Sequence, residues 1–79
     1  MRMANENKSL QVQAICIKLA AEDFKQSFPD FKKEEYTFSY RKEMDTSTNE
    51  VYYIVEAVSQ KNPSIIYLQQ YDSLFIPQY

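Results

Sequence analysis

The stretch Glu50-Val51-Tyr52-Tyr53-Ile54-Val55-Glu56-Ala57-Val58, EVYYIVEAV, decides how this chain folds. A strand that is wet on one side alternates apolar with polar residues. Here one face would carry Val51, Tyr53, Val55 and Ala57, and the other Tyr52, Ile54, Glu56 and Val58. Both faces want cover, and the rest of the chain has to supply it.

Upstream, Tyr36-Thr37-Phe38-Ser39-Tyr40-Arg41 alternates aromatic with polar as a half-buried strand does. The loop EMDTSTN separates it from EVYYIVEAV, and SQKNPS separates that from IIYLQQY. Connections this short suit an antiparallel meander. Before the meander, Leu10, Ala14, Ile17, Ala21, Phe24 and Phe28 step by three, four or seven residues, while Gln11, Lys18, Glu22 and Lys25 gather opposite. That spacing predicts a helix over 10–28, capped by Ser9 or Asn7 and stopped by Pro29, which disfavours helical dihedrals at Phe28. A strand over LQVQAICI is the rival reading, because Val, Ile and Cys suit strands and Gln11 and Gln13 alternate with Val12 and Ala14. Ile15 and Ile17 break that alternation and favour the helix.

The expected fold is therefore α+β: a single domain over 1–79 with one N-terminal helix packed on a three-stranded antiparallel meander, in the order α-β-β-β. Residues 1–8 are polar and expected to fray. Residues 72–79 form a C-terminal tail with Leu74, Phe75 and Ile76 ahead of Pro77, where regular pairing should end.

Seventy-nine residues make a thin core, burying about 60–65% of the surface that the unfolded chain exposes. The aromatic share of 15%, from seven Tyr and five Phe, is high, and the hydrophobic share of 44% argues against disorder. A net charge of −2 and an isoelectric point near 5.0 give no general attraction to phosphate backbones or anionic membranes. Nucleic acid is disfavoured as a partner. Gln11, Gln13 and Lys18 interrupt the apolar run near the N-terminus, so neither a secretory segment nor a membrane span is expected. The single Cys16 has no partner for an internal disulfide, which fits a reducing cytoplasmic setting.

The residue inventory narrows the chemistry. Without glycine there is no phosphate-cradling loop and no dinucleotide fingerprint. Without histidine there is no Ser-His or Cys-His nucleophile pair and no imidazole metal ligand. An enzyme would have to work with carboxylates, Lys, Tyr or Cys16, and Cys16 sits among Ile15, Ile17, Leu19 and Ala20 as a buried thiol would. Asp45, Ser47 and Asn49 partly echo a calcium loop whose twelfth position would be Glu56. Glu50 stands where such a loop needs glycine, so a solvated hairpin loop is expected instead. Arg41 and Lys42 beside Tyr36, Phe38 and Tyr40 suggest a sheet on which bases could stack, but the glycine-bearing RNA-recognition signature is missing. No enzyme, metal or cofactor is expected.

The two-faced strand then points to a surface. If the Leu10/Ile17/Phe24 side of the helix covers Tyr36, Phe38, Tyr40, Val51, Tyr53, Val55, Ile65 and Tyr67, the opposite sheet face shows Tyr52, Ile54, Val58, Ile66 and Leu68. Monomers rarely leave such patches bare. Val12, Ile15, Cys16 and Leu19 form a second apolar strip on the helix. The tail, a second copy of the chain or another protein could cover the sheet patch, and three apolar tail residues hardly suffice for both surfaces. Tyr52, Ile54, Val58, Ile66 and Leu68 are thus the expected partner-binding residues.

A helix ending at SFPDF, a Tyr-rich strand, a polar loop and NEVYYIVEAV together resemble the α-β-β-β unit of PepSY-type domains over residues 19–68. That resemblance implies an inhibitory domain, although the chain lacks the turn glycines of that family. The leading expectation is a non-enzymatic protein-binding module, a small inhibitor or antagonist of the phage or mobile-element kind that occludes a partner surface. A structural homodimer or accessory subunit, a PepSY-like inhibitor and a single-stranded nucleic-acid binder are the alternatives.

Overall fold

The computed structural model describes the backbone of residues 2–78 and the side chains of residues 8–78. Helix α1 spans Arg2–Ser27, a short 3-10 turn spans Lys33–Glu35, and strands β1 (Tyr36–Asp45), β2 (Glu50–Ser59) and β3 (Ile66–Asp72) follow. The sheet is antiparallel in the order β1-β2-β3. The α+β arrangement is the one the sequence predicts, and the segment LQVQAICI is helical rather than extended.

Helix α1 starts ahead of the expected caps, so Ser9 and Asn7 both lie inside it. Nothing in MANENKS breaks a helix: it holds neither glycine nor proline, and Ala, Glu and Lys are good formers. The side chains of residues 1–7, on which most of the expected fraying of 1–8 falls, lie outside the described residues. The C-terminal end is where Pro29 puts it, with the last turn closed by Phe28 N–H donating to Phe24 O at 2.8 Å.

The β1–β2 hairpin closes over residues 46–49, and the pairs Tyr40↔Val55 and Asp45↔Glu50 set its register. Asn49 takes φ 61, a left-handed conformation that Asn tolerates where this glycine-free chain has nothing better. Asp45 accepts from Ser47 N–H at 2.9 Å and from Ser47 O–H at 2.6 Å. The carboxylate expected in the calcium-loop echo is thereby engaged in holding the turn, and these two bonds draw its pKa below the ordinary value.

The register places Tyr36, Phe38, Tyr40, Tyr53, Val55, Ala57, Tyr67, Gln69 and Tyr71 on the face that α1 covers. Ile65 departs from expectation. It lies one residue ahead of β3, its N–H donating to Asn62 O in the loop, and it is 39% exposed rather than core. Phe31, from the polar linker, fills the end of the core instead. It is 3% exposed, and its ring meets Phe24 edge-on at 5.6 Å, Phe38 at 6.2 Å and Tyr67 at 5.9 Å. Edge-to-face rings of this kind add to the area they bury.

The helix is seated differently from the expected Leu10/Ile17/Phe24 side. Its buried line is Cys16, Ala20 and Phe24, with Val12 and Leu19 half-buried on one flank and Ile17 and Ala21 on the other. Leu10 is 63% exposed. Cys16 and Ala20 are small enough to let the helix backbone approach the sheet closely, which a line of Leu and Ile would prevent. The same seating turns Asp23 toward β3, where Tyr71 O–H donates to its carboxylate at 2.6 Å and Gln69 makes a longer contact at 3.4 Å.

Candidate functional site

Among the described residues, two surfaces group apolar side chains toward solvent. The first is the sheet face away from α1. Reading across the register, its rows are Thr37/Val58/Ile66, Ser39/Glu56/Leu68, Arg41/Ile54/Gln70 and Glu43/Tyr52/Asp72. All five residues expected at a partner surface, Tyr52, Ile54, Val58, Ile66 and Leu68, share this face. They differ in what they can offer. Ile66 and Leu68 are open to solvent, Val58 and Tyr52 are half-buried, and Ile54, between Arg41 and Gln70, is 8% exposed. Glu56 sits between Ile54 and Val58 and directly opposite Leu68, so a charge divides the patch. Tyr52 donates its hydroxyl to Glu50 at 2.7 Å, which raises its pKa and turns its polar end toward the hairpin.

The C-terminal tail does not cover this face. Asp72 N–H donates to Ile76 O at 3.0 Å and Gln78 N–H to Gln70 O at 2.8 Å, so residues 76–78 line the outer edge of β3. Pro77, bridged to Tyr71, sits between those two bonds, where a missing N–H costs nothing. Phe75 then stacks on Tyr53 at 5.6 Å on the helix side of the sheet. It holds φ 63 there, a costly conformation for a bulky residue, maintained by Asp72, whose carboxylate accepts from the N–H groups of Leu74 and Ile76 at 2.8 and 3.0 Å.

The second surface was not singled out as a site by the sequence. Because α1 rests on Cys16, Ala20 and Phe24, the strip Leu10, Ala14, Ile17 and Ala21 faces sideways, over the β1 side of the sheet. Between that strip and Phe31, Phe38 and the Lys32–Glu34 corner lies an open groove of about 1230 Å³. The signal for it was present: two apolar strips on one helix exceed what a single sheet face covers. Cys16, fully buried beneath α1 with its thiol pKa raised by desolvation, opens onto neither surface.

Comparison with known proteins returns no match: no protein-family model, no curated protein and no solved structure matches this chain. The resemblance to PepSY-type domains gains no support from them. No helix among the described residues is long and apolar enough to cross a membrane.

Proposed function

We propose that this protein is a non-enzymatic protein-binding module that acts by occluding a surface of its partner, an inhibitor or antagonist being the form that suits its size. One observation carries the reading. Helix α1 rests on Cys16, Ala20 and Phe24 and leaves Leu10 and Ala14, with the outer sides of the half-buried Ile17 and Ala21, along an open groove that no other described residue fills. Apolar surface left bare costs the free protein the favourable transfer that burial brings, about 25 cal/mol per Å². A partner supplies the missing cover, and the packed rings of Phe31 and Phe38 on one side of the groove keep the entropic cost of docking low.

A photo-crosslinking residue at Ala14 tests this in cells of the protein's own source. The reading expects a discrete crosslinked protein from Ala14 and none from the exposed loop position Gln60. Equal, diffuse labelling from both positions sinks it. The homodimer alternative is separated by the mass of the product, which would be twice that of the chain.

The solvent-facing pair Ile66 and Leu68 supports a second contact surface on the opposite side of the sheet. Glu56 at its centre favours a contact that also offers a cation there.

A further inference from the structure

The groove beside α1 has a charge pattern that speaks to its occupant. Four of the chain's nine cations, Lys18, Lys25, Lys32 and Lys33, line it, with only two of the eleven acids, Glu22 and Glu34. The groove is therefore locally +2 on a chain of −2, and the remainder of the chain carries −4. All four lysines are exposed. Among the described residues the ion pairs are Arg41 with Glu43 and Lys61 with Glu35, so none of the four groove lysines is paired.

The placement is as informative as the sign. Lys18 and Lys25, seven residues apart, stand two helical turns from one another along the α1 bank, and Lys32 and Lys33 stand on the other bank. Between the banks runs the apolar floor of Leu10, Ala14, Ile17, Ala21 and Phe38. From Leu10 to Ala21 the floor follows α1 for about 17 Å. Resting on the protein-binding reading, the geometry points to an acidic amphipathic helix of a partner protein as the occupant, its apolar stripe on the floor and its Asp or Glu flanks against the two lysine banks. A groove that receives a helix in this way reads anchors at i, i+3, i+4 and i+7. A fatty-acid anion fits less well, because its single charged head answers lysines at one end and not along both sides. A second copy docked groove to groove fits less well again, since it would set one +2 groove against another.

The probe is an 18-residue capped peptide with Leu at i, i+3, i+4 and i+7 and Glu flanking that stripe on both sides. Its controls are the same peptide with Lys at every Glu position and a scrambled peptide of the same composition. Binding is read by fluorescence anisotropy and located by amide chemical shifts. We expect the acidic peptide to bind at least tenfold more tightly than the basic one, to weaken as salt is raised, and to shift Ala14, Ile17, Ala21 and Phe38. The fourfold variant Lys18→Glu, Lys25→Glu, Lys32→Glu, Lys33→Glu, checked for folding by circular dichroism, should invert the order of the two peptides. Equal binding of acidic, basic and scrambled peptides overturns the proposal. So does dodecanoate below its micellar concentration displacing the acidic peptide from these amides, which assigns the groove to a lipid anion, or light scattering that shows self-association burying it. If Ala14 traps a protein while the acidic peptide fails, the charge argument falls and the protein-binding reading stands; if Ala14 also traps nothing, both fall.

Discussion

The hydroxyl of Tyr71 reaches across the helix–sheet boundary and donates to the carboxylate of Asp23 at 2.6 Å, tying the last strand to the first helix through 48 residues of sequence separation. Tyr71 is 1% exposed and Asp23 half-buried, so this bond is partly shielded from water. Bonds to a charged acceptor are worth about 1.5–3 kcal/mol when buried, and Asp23 is half-buried, so Tyr71→Phe should cost about 1–2 kcal/mol. Asp23→Ala should cost at least as much, because Gln69 loses the same acceptor. In urea denaturation the double variant should be less destabilised than the sum of the two single changes; strict additivity would mean that the two residues do not act as a pair.

Faces of the sheet can be told apart by substitution. Tyr53 stacks between Tyr40 at 6.1 Å and Phe75 at 5.6 Å on the helix side, and Tyr53→Ala should cost about 2–4 kcal/mol. Leu68→Lys, at a position 57% exposed on the other side and directly opposite Glu56, should stay within about 0.5 kcal/mol of the parent. Ile54→Asp is expected to destabilise the chain instead, because Ile54 is already nearly buried and the Arg41 guanidinium opposite it is engaged by Glu43. Thermal melts of the three variants check the assignment, and a harmless Tyr53→Ala would reverse it.

Much of this was legible in advance, and the exceptions share a cause. Period-two alternation fixed which face each strand residue takes, from Tyr36 to Leu68, because a strand has only two faces to choose from. A helix offers a continuum of directions. Leu10, Ile17 and Phe28 outweigh Cys16 and Ala20 in hydrophobicity, but closeness of approach, not hydrophobicity, decided the contact face. Asp23 reads as a surface acid in sequence and is turned inward by a tyrosine far along the chain. Phe31 was hidden by polar neighbours in its linker, although a lone large aromatic in such a linker is itself a signal of burial. The groove follows from the helix rotation, so a reading that set the rotation differently could not place it.

Seating on small residues makes a prediction for Cys16. The thiol is fully buried and desolvation raises its pKa, so a native-state thiol reagent should modify it only as fast as the whole chain opens. The sign for stability follows: the folded state holds the proton more tightly, so this contribution is complete below the unfolded thiol pKa and is lost as pH rises through the folded one. Ala20→Leu should cost about 1–3 kcal/mol by forcing the helix off the sheet. Rapid modification of Cys16 under native conditions would contradict the seating.

The hairpin turn responds to acid. The bonds from Ser47 lower the Asp45 pKa, so their contribution is present above the unfolded carboxylate pKa and is lost as pH falls through the folded value. Titration of Asp45 by NMR should show a midpoint below the ordinary carboxylate range, and Ser47→Ala should move it upward. An unchanged midpoint in that variant would mean that the hydroxyl does not hold the carboxylate.

The most direct test of the central claim, that the Leu10–Ala21 flank of α1 is a docking surface left free by the fold, is alkylation of an Ala14→Cys variant in purified protein and in intact cells of its source. Cys16 is buried and serves as the internal unreactive standard. The account predicts fast modification at position 14 in the purified protein and strong protection in cells, where the partner occupies the groove. Equally fast modification in both settings would contradict it.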